Sequence, residues 1–372
     1  MHLFLSYGLT LLAAFALALV LTPISRALAL SAGFIDYPKS DRAHRNPTPF
    51  LGGLAVAVSA GLAFALLAPR VPLLEELWTL GALPRAIVPM ILFLSSAALV
   101  LGLLDDRFGV NPRQKLAVQT LLAVIFLSAA IPVGLGWHLL LWPVGLLWMV
   151  GLTNAFNLLD NMDGILGGIG TVTGLFLGAL ALRAGRPDLG ALALAGGGAS
   201  LGFLCFNFPP ASIYLGDAGA FFIGLLFAGV GWVLGGSAFL SFGSAAAAVT
   251  LILAYPIFDA CFVTVTRILD RRPVHVGGVD HTTHRFHKLL PGRGALVAVY
   301  ALNVLSGIAG LAAFDASAPV AWSLVAVAGC LYASIGVILA RVPVRMARAV
   351  PAPRSAVAPA RTAVPARRRE VA

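Results

Sequence analysis

The chain is 372 residues long, 59% hydrophobic and only 11% charged, with a formal net charge of +10. Soluble globular domains carry about 25% charged residues, so a soluble fold is excluded and a polytopic membrane protein is expected. The basic excess would also suit nucleic acid, but in an apolar chain it reports topology, and no nucleic acid is expected as a partner.

Eleven apolar segments follow in order, at about 3–22, 51–68, 86–104, 115–133, 137–157, 164–182, 189–206, 217–235, 244–263, 295–313 and 320–340. Runs of about 20 residues are spanning helices, since barrel strands would alternate over about 10. The first segment lacks the basic n-region of a secretory signal and is too long for one. With the N-terminus outside, 21 Lys or Arg fall on the inner side and four (Arg70, Arg85, Arg183, Arg186) on the outer. That asymmetry places the C-terminus inside. The expected fold class is therefore all-α: an integral membrane bundle of about eleven transmembrane helices over 1–342. A Pro/Ala/Arg-rich tail over 343–372 is expected to be disordered and attracted to anionic lipid. Cys205, Cys261 and Cys330 lie in apolar runs without CxxC spacing and read as packing residues. Gly196-Gly197-Gly198 permits close helix contacts, within one chain or between the two of a homodimer.

Seven of the fifteen acidic residues (Asp36, Asp41, Asp105, Asp106, Asp160, Asp163, Asp217) lie at or near segment ends on the inner side. Charge in such places is costly without partners or a task. Five polar stretches carry it. The first, Asp36 to Gly53, is shaped by prolines and glycines; His44 and Arg45 suit phosphate, or simply anchor a positive-inside loop. In the second, Asp105 and Asp106 are adjacent at a helix end and need a cation nearby. One could organise a metal while the other accepts a proton, or both could be a solvated terminus paired with Arg107 or Lys115.

The third stretch places Asn154, Asn157 and Asp160 at i, i+3 spacing, on one face if helical, with Asn161 and Asp163 following. This resembles a hard-cation site but not an EF-hand. In the fourth, Asp217 opens a helix, as a simple cap or as a carboxylate bringing Mg²⁺ to a phosphate held at the N-terminus; Tyr214 could stack on a base. The fifth, around His281, His284, Arg285 and His287, suggests zinc by its histidines. Hard oxygen ligands elsewhere favour Mg²⁺, with His and Arg as diphosphate clamps. Together the five loops imply Mg²⁺-assisted chemistry on a phosphate ester at the cytoplasmic face, with an acceptor drawn from lipid.

The motifs HRNPTPFLGG, LLDD, NAFNLLDNMDG, NFPPASIYLGDAG and DHTTHRF, in this order from about Asp36 to Lys288, resemble the polyprenyl-phosphate N-acetylhexosamine-1-phosphate transferases. That family includes the enzyme making lipid I and those starting O-antigen and teichoic-acid glycans. The resemblance implies a helical bundle in the bacterial inner membrane with a cytoplasmic cleft. It also implies Mg²⁺ (or Mn²⁺ in its place), a UDP-amino-sugar donor and a polyprenyl phosphate acceptor such as undecaprenyl phosphate. By motif match Asp217 is the first choice as Mg²⁺ ligand, assisted by Asn157. Asp105 is the candidate base and Asp106 supports the site. Asp160, Asp163 and Asn207 contact nucleotide or sugar, Tyr214 stacks on uracil, and His284 and Arg285 hold the diphosphate. Arg45, Asn154 and His281 complete the substrate-binding set.

Two departures stand out. Asn161 replaces the first glycine of the common DGxDG stretch, and HTTHRF replaces an HHH-type run, which favours the GlcNAc-1-phosphate branch over the phospho-MurNAc-pentapeptide branch. The mechanism implied is a single displacement at the β-phosphorus with release of UMP; an aspartate nucleophile is the rival. Among other classes, a secondary transporter would place its charges at mid-bilayer. An intramembrane aspartyl protease would hold its dyad inside the membrane, and an intramembrane prenyltransferase would show DDxxD.

Overall fold

A computed structural model describes residues 2–36, 47–67, 87–131, 138–239, 241–274 and 278–344. Arg45 and most of the basic tail lie outside the described residues. The elements run α1 (His2–Ala32), β1 (Ile35–Asp36), β2 (Thr48–Pro49), α2 (Gly52–Leu67), α3 (Ile87–Phe108), α4 (Pro112–Ala130) and α5 (His138–Leu159). They continue with α6 (Ile165–Arg183), α7 (Pro187–Asn207), α8 (Gly216–Gly235), α9 (Ser244–Ile252), α10 (Ala254–Leu269), α11 (Thr282–Leu289), α12 (Gly294–Phe314) and α13 (Ala318–Ala340).

The architecture is all-α and polytopic. Over the described residues each predicted apolar segment is predominantly helical. Among the described residues eight helices (α1, α3, α5, α6, α7, α8, α12 and α13) are long and apolar enough to cross a membrane. Backbone groups have no water to bond in lipid, so continuous helices satisfy them internally. One expectation is corrected: the segment drawn as a single span at 244–263 is two helices, α9 and α10, bent by 67° and extending to Leu269. Leu253 leaves helical geometry at the break (φ −97°, ψ 11°). Pro256 lacks the N–H that would bond back to Ile252, so the ladder cannot run through.

The most enclosed helix is α8, packed against α2, α3, α5, α6, α7 and α9. Its Phe221, Phe222 and Phe227 are fully buried. Between helices in lipid the attraction is close packing rather than exclusion of water, which favours small residues at contacts. A Cβ on Gly102 of α3 would lie 2.3 Å from Ala218 Cα of α8, so these two backbones touch. The Gly196–Gly198 run is used within the chain: a Cβ on Gly198 would meet Leu11 O at 2.4 Å, and one on Gly196 would meet Leu226 and Phe227. The three cysteines are corrected from packing residues to free, exposed side chains.

Candidate active site

The second to fifth polar stretches, and the described part of the first, meet at one end of the bundle. The first is tied to the fourth through backbone. Tyr214 N–H donates to Pro49 O (2.8 Å), Gly52 N–H to Tyr214 O (3.0 Å) and Gly53 N–H to Leu215 O (2.8 Å). The short β1–β2 ladder, with Ile35 opposite Pro49 and Asp36 opposite Thr48, sets the exit from α1. The Tyr214 side chain bonds Thr48.

The second stretch meets the fourth through Asp106. Its Oδ1 accepts the Asp217 N–H at 3.0 Å and its Oδ2 the Ala218 N–H at 3.2 Å. The first turn of a helix leaves N–H groups without intrahelical partners, and a carboxylate from α3 supplies them here. The reading of Asp217 as a cap of its own helix is thereby corrected, since Leu215 holds the N-cap position. Gly216 has φ +77°, and a Cβ there would stand 2.6 Å from Asp106 Oδ2. Glycine is therefore required twice over, by conformation and by space.

Asp105 sits beside this cap, with a side chain only 8% exposed. Its Oδ1 accepts the Val110 N–H at 2.8 Å and its Oδ2 the Lys115 ammonium at 2.5 Å. Lys115 also lies 3.6 Å from Asp217 Oδ2, whose side chain is 35% exposed. The Asp105 and Asp217 carboxylates are within hydrogen-bonding reach of each other. Asn157 Nδ2 donates to Asp217 Oδ1 at 2.9 Å. Two carboxylates so close repel unless a proton or cation lies between them, and the lysine ammonium stands partly in that place. Asn111 caps α4 by accepting the Arg113 N–H at 2.9 Å, and Pro112 fixes the first turn, which sets Lys115 on the inner face.

The third stretch surrounds this cluster. Asn154 Nδ2 donates to Gln119 Oε1 (2.7 Å) and to Val150 O (2.8 Å). Asp160 accepts the Gly216 N–H. Burial, reinforced by the charges of Asp106 and Asp163, nevertheless pushes its carboxyl up to about 7. Asp163 Oδ2 accepts the Ala211 N–H at 2.9 Å. Asn207 is buried; its Oδ1 accepts the Gly164 N–H and its Nδ2 donates to Ile213 O, both at 2.9 Å. Asp163 and Asn207 thus knit loop backbone together beside the carboxylates.

The fifth stretch joins through Thr283, whose hydroxyl donates to Asn161 Oδ1 at 2.7 Å. His281 is buried with its Nδ1 3.0 Å from Asp259 Oδ2. His284 lies 6.0 Å from His281 between ring centroids, and its Nδ1 is buried with no partner. Burial, then the neighbouring His281, lowers the His284 imidazole to about 4. Arg285 is turned elsewhere: its Nη1 donates to Leu339 O (3.0 Å), Ala340 O (3.2 Å) and Val342 O (2.8 Å), bolting the loop to the end of α13.

Sequence reading missed Asp259, Gln119 and the Arg267–Asp280–Arg272 group, and gave Lys115 only as a counter-ion. A carboxylate inside the 244–263 run was the available signal for Asp259. For Lys115 it was its place in the same stretch as Asp105-Asp106, whose nearest cation in sequence, Arg107, lies over the Phe34 ring at 5.3 Å.

The donor set suits a hard cation. Asp105 and Asp217 converge on Lys115, with the Asn157 amide nitrogen turned to Asp217 Oδ1, and among the described residues no group of three His, Cys, Asp or Glu is placed to hold a metal ion by itself. Mg²⁺ usually takes one or two carboxylates and leaves its other positions to water and substrate phosphates, so the residues present fit it.

A family model described as glycosyl transferase family 4 matches residues 88–235, which hold the second, third and fourth stretches. An undecaprenyl-phosphate alpha-N-acetylglucosaminyl 1-phosphate transferase of Thermotoga maritima is 28% identical over 293 residues, 78% of this chain and 86% of the relative. A phospho-N-acetylmuramoyl-pentapeptide-transferase of Symbiobacterium thermophilum is 31% identical over 242 residues, 58% of this chain and 70% of the relative. A decaprenyl-phosphate N-acetylglucosaminephosphotransferase of Mycolicibacterium smegmatis is 29% identical over 225 residues, 54% of this chain and 53% of the relative. The site and the bundle are thus those of a membrane-embedded transferase. The chain belongs to glycosyl transferase family 4.

Proposed function

We propose that this protein transfers N-acetylhexosamine 1-phosphate, with GlcNAc 1-phosphate as the sugar, from a UDP-sugar to undecaprenyl or another polyprenyl phosphate, releasing UMP. This would be the first membrane step of an envelope glycan, at the cytoplasmic face of the inner membrane. The observation that carries the reading is the convergence of Asp105 and Asp217, from different helices, on Lys115 and Asn157. Relatives named for GlcNAc phosphate transfer to undecaprenyl and decaprenyl phosphate support the choice of sugar and acceptor.

Asp217, assisted by the Asn157 side chain, would hold Mg²⁺ or Mn²⁺, which when bound supplies positive charge to the donor diphosphate. The chain's own residues do the rest by positioning. An oxygen of the lipid phosphate forms a bond to the β-phosphorus while the bond from that phosphorus to the bridging oxygen breaks, and UMP leaves with the electron pair. Phosphate monoesters have a second pKa of about 6, so the acceptor is largely ionised at neutral pH. Asp105 then serves chiefly to hold Lys115 against the reacting phosphates. Both its oxygens are already engaged, which speaks against an aspartate nucleophile. Asp106 fixes the start of α8, and from the fifth stretch His281 and His284 would meet the diphosphate.

The test is UMP release by purified protein given Mg²⁺, undecaprenyl phosphate and UDP-GlcNAc, with Asp217→Asn and EDTA as controls. Lipid-dependent release abolished in both controls is expected. Release only with UDP-MurNAc-pentapeptide would move the chain to the branch of the Symbiobacterium relative. No release with any UDP-sugar from folded protein would end the proposal.

A further inference from the structure

Asp259 lies ten residues before the end of α10 in a largely apolar stretch, is completely buried, and belongs to none of the five polar loops. A buried carboxylate is costly unless its oxygens are fully bonded, and these are. Oδ1 accepts the Thr282 N–H at 3.0 Å and the Thr282 hydroxyl at 2.5 Å. Oδ2 lies 3.0 Å from His281 Nδ1. The Tyr255 hydroxyl, also buried, stands 3.0 Å from Thr282 Oγ1 and closes the group from one turn earlier in α10.

Only Nδ1–H can satisfy the carboxylate, so His281 carries a proton on Nδ1 and its Nε2 is the atom left for a ligand. Which nitrogen of a histidine is protonated follows from the bond made by the other. We infer that Asp259 is a positioning residue for the transfer reaction: through Nδ1 it fixes the tautomer and ring plane of His281 and so presents Nε2 to the substrate. The inference rests on the function proposed above, with His281 at the diphosphate. The bend between α9 and α10 gives it a structural basis, because it carries α10 back under the loop that bears the histidines. Thr283, two residues past His281, is bonded to Asn161, which locks the oriented ring to the Asn157–Asp163 stretch.

Asp259 also caps α11 through Thr282, so a structural role must be separated from an orienting one. The experiment uses full-length protein in detergent or nanodiscs. Asp259→Asn keeps an acceptor for Thr282 but offers the ring no carboxylate. Its kcat and KM for UMP release would be compared with those of His281→Ala and the double variant, alongside Tm. In parallel, ¹⁵N-histidine NMR of the wild type, assigned by loss of signal in His281→Ala, reads the tautomer directly.

The expected result is a kcat loss of about 10- to 100-fold in Asp259→Asn, by analogy with the loss when the carboxylate partner of a metal-bound histidine is removed. The double variant should be no slower than His281→Ala, and the wild-type ring should be Nδ1-protonated. Multiplying losses, a fall in Tm with kcat unchanged, or an Nε2-protonated ring would each overturn the inference. The NMR arm needs no turnover and no stable Asp259 variant. A wild type silent with every UDP-sugar but Nδ1-protonated at His281 would sink the proposed reaction and keep the orientation, whereas an active wild type with the other tautomer would do the reverse.

Discussion

Two charged clusters sit side by side at the same end of the bundle and treat charge in opposite ways. In the Asp105 cluster five aspartates (Asp105, Asp106, Asp160, Asp163 and Asp217) crowd together, and among the described residues its ion pairs are both made by Lys115. In the neighbouring cluster Asp280 alone receives Arg267 Nε and Nη2 at 3.0 and 2.9 Å and Arg272 Nη1 at 2.9 Å, with Arg267 1% exposed. The first cluster is short of positive charge and partly open; the second is closed and satisfied. Aspartate therefore carries no functional meaning by itself in this chain. An excess of carboxylates over cations beside an opening marks the place for a cation and a phosphorylated substrate.

The comparison breaks first at Asp217. Asp217→Asn should lower UMP release by roughly 10³-fold, the several kcal/mol that charge at a reacting phosphate supplies, and leave Tm nearly unchanged because the residue is a third exposed. Equal loss of Tm and activity would place Asp217 with the structural cluster instead. Asp280→Asn should do the opposite. Removing one partner of a buried pair costs about 3–5 kcal/mol, so Tm should fall by several degrees while kcat per folded molecule holds. Full stability in that variant would show that the arginines find other partners.

Acid sharpens the contrast further, because the two regions should respond with opposite signs. The His284 imidazole, lowered to about 4 by burial, binds its proton more weakly folded than unfolded. Stability in its loop is complete above about pH 6.5 and falls by up to about 1.4 kcal/mol per pH unit between 6.5 and 4. Asp280, lowered to about 2 chiefly by its bonds to Arg267 in opposition to burial, keeps its contribution until pH falls through the range from about 4 to 2. Asp160 is raised to about 7, so the folded state holds a proton there that the unfolded state has lost, and stability rises as pH falls from 7 toward 4. Hydrogen exchange in EDTA at pH 7.5, 6 and 5 should show protection falling over 281–289 and rising around 156–164. Parallel changes in both segments would refute the contrast.

Much of this was legible in advance, and the limits have a physical cause. Runs of about 20 apolar residues admit little but helices in lipid, so every segment was placed. The meeting of the five loops was legible from their shared sidedness. The partners within the site were not, because a contact such as that from Asp106 to the Asp217 N–H spans 111 residues and depends on α3 touching α8 at Gly102. The bend at Leu253 was hidden because the residues on both sides are equally apolar. Arg285 was read as a phosphate clamp from its motif; its bonds to the end of α13 depend on a helix that begins more than thirty residues later.

The smallest expected effect lies at the joint between the clusters. Thr283 is fully buried and its hydroxyl donates to Asn161 Oδ1, while Asn161 Nδ2 donates to Leu158 O at 2.7 Å. Thr283→Val keeps the volume but removes the bond to a half-buried acceptor, at a cost of about 1 kcal/mol. If the joint merely adds stability, Tm falls slightly and kcat is unchanged. If it aligns the histidine loop with the carboxylates, kcat should fall a few-fold, and Asn161→Ala should fall by a similar factor without adding to it. Independent losses in the two variants would mean that the clusters are held in register by something other than this bond.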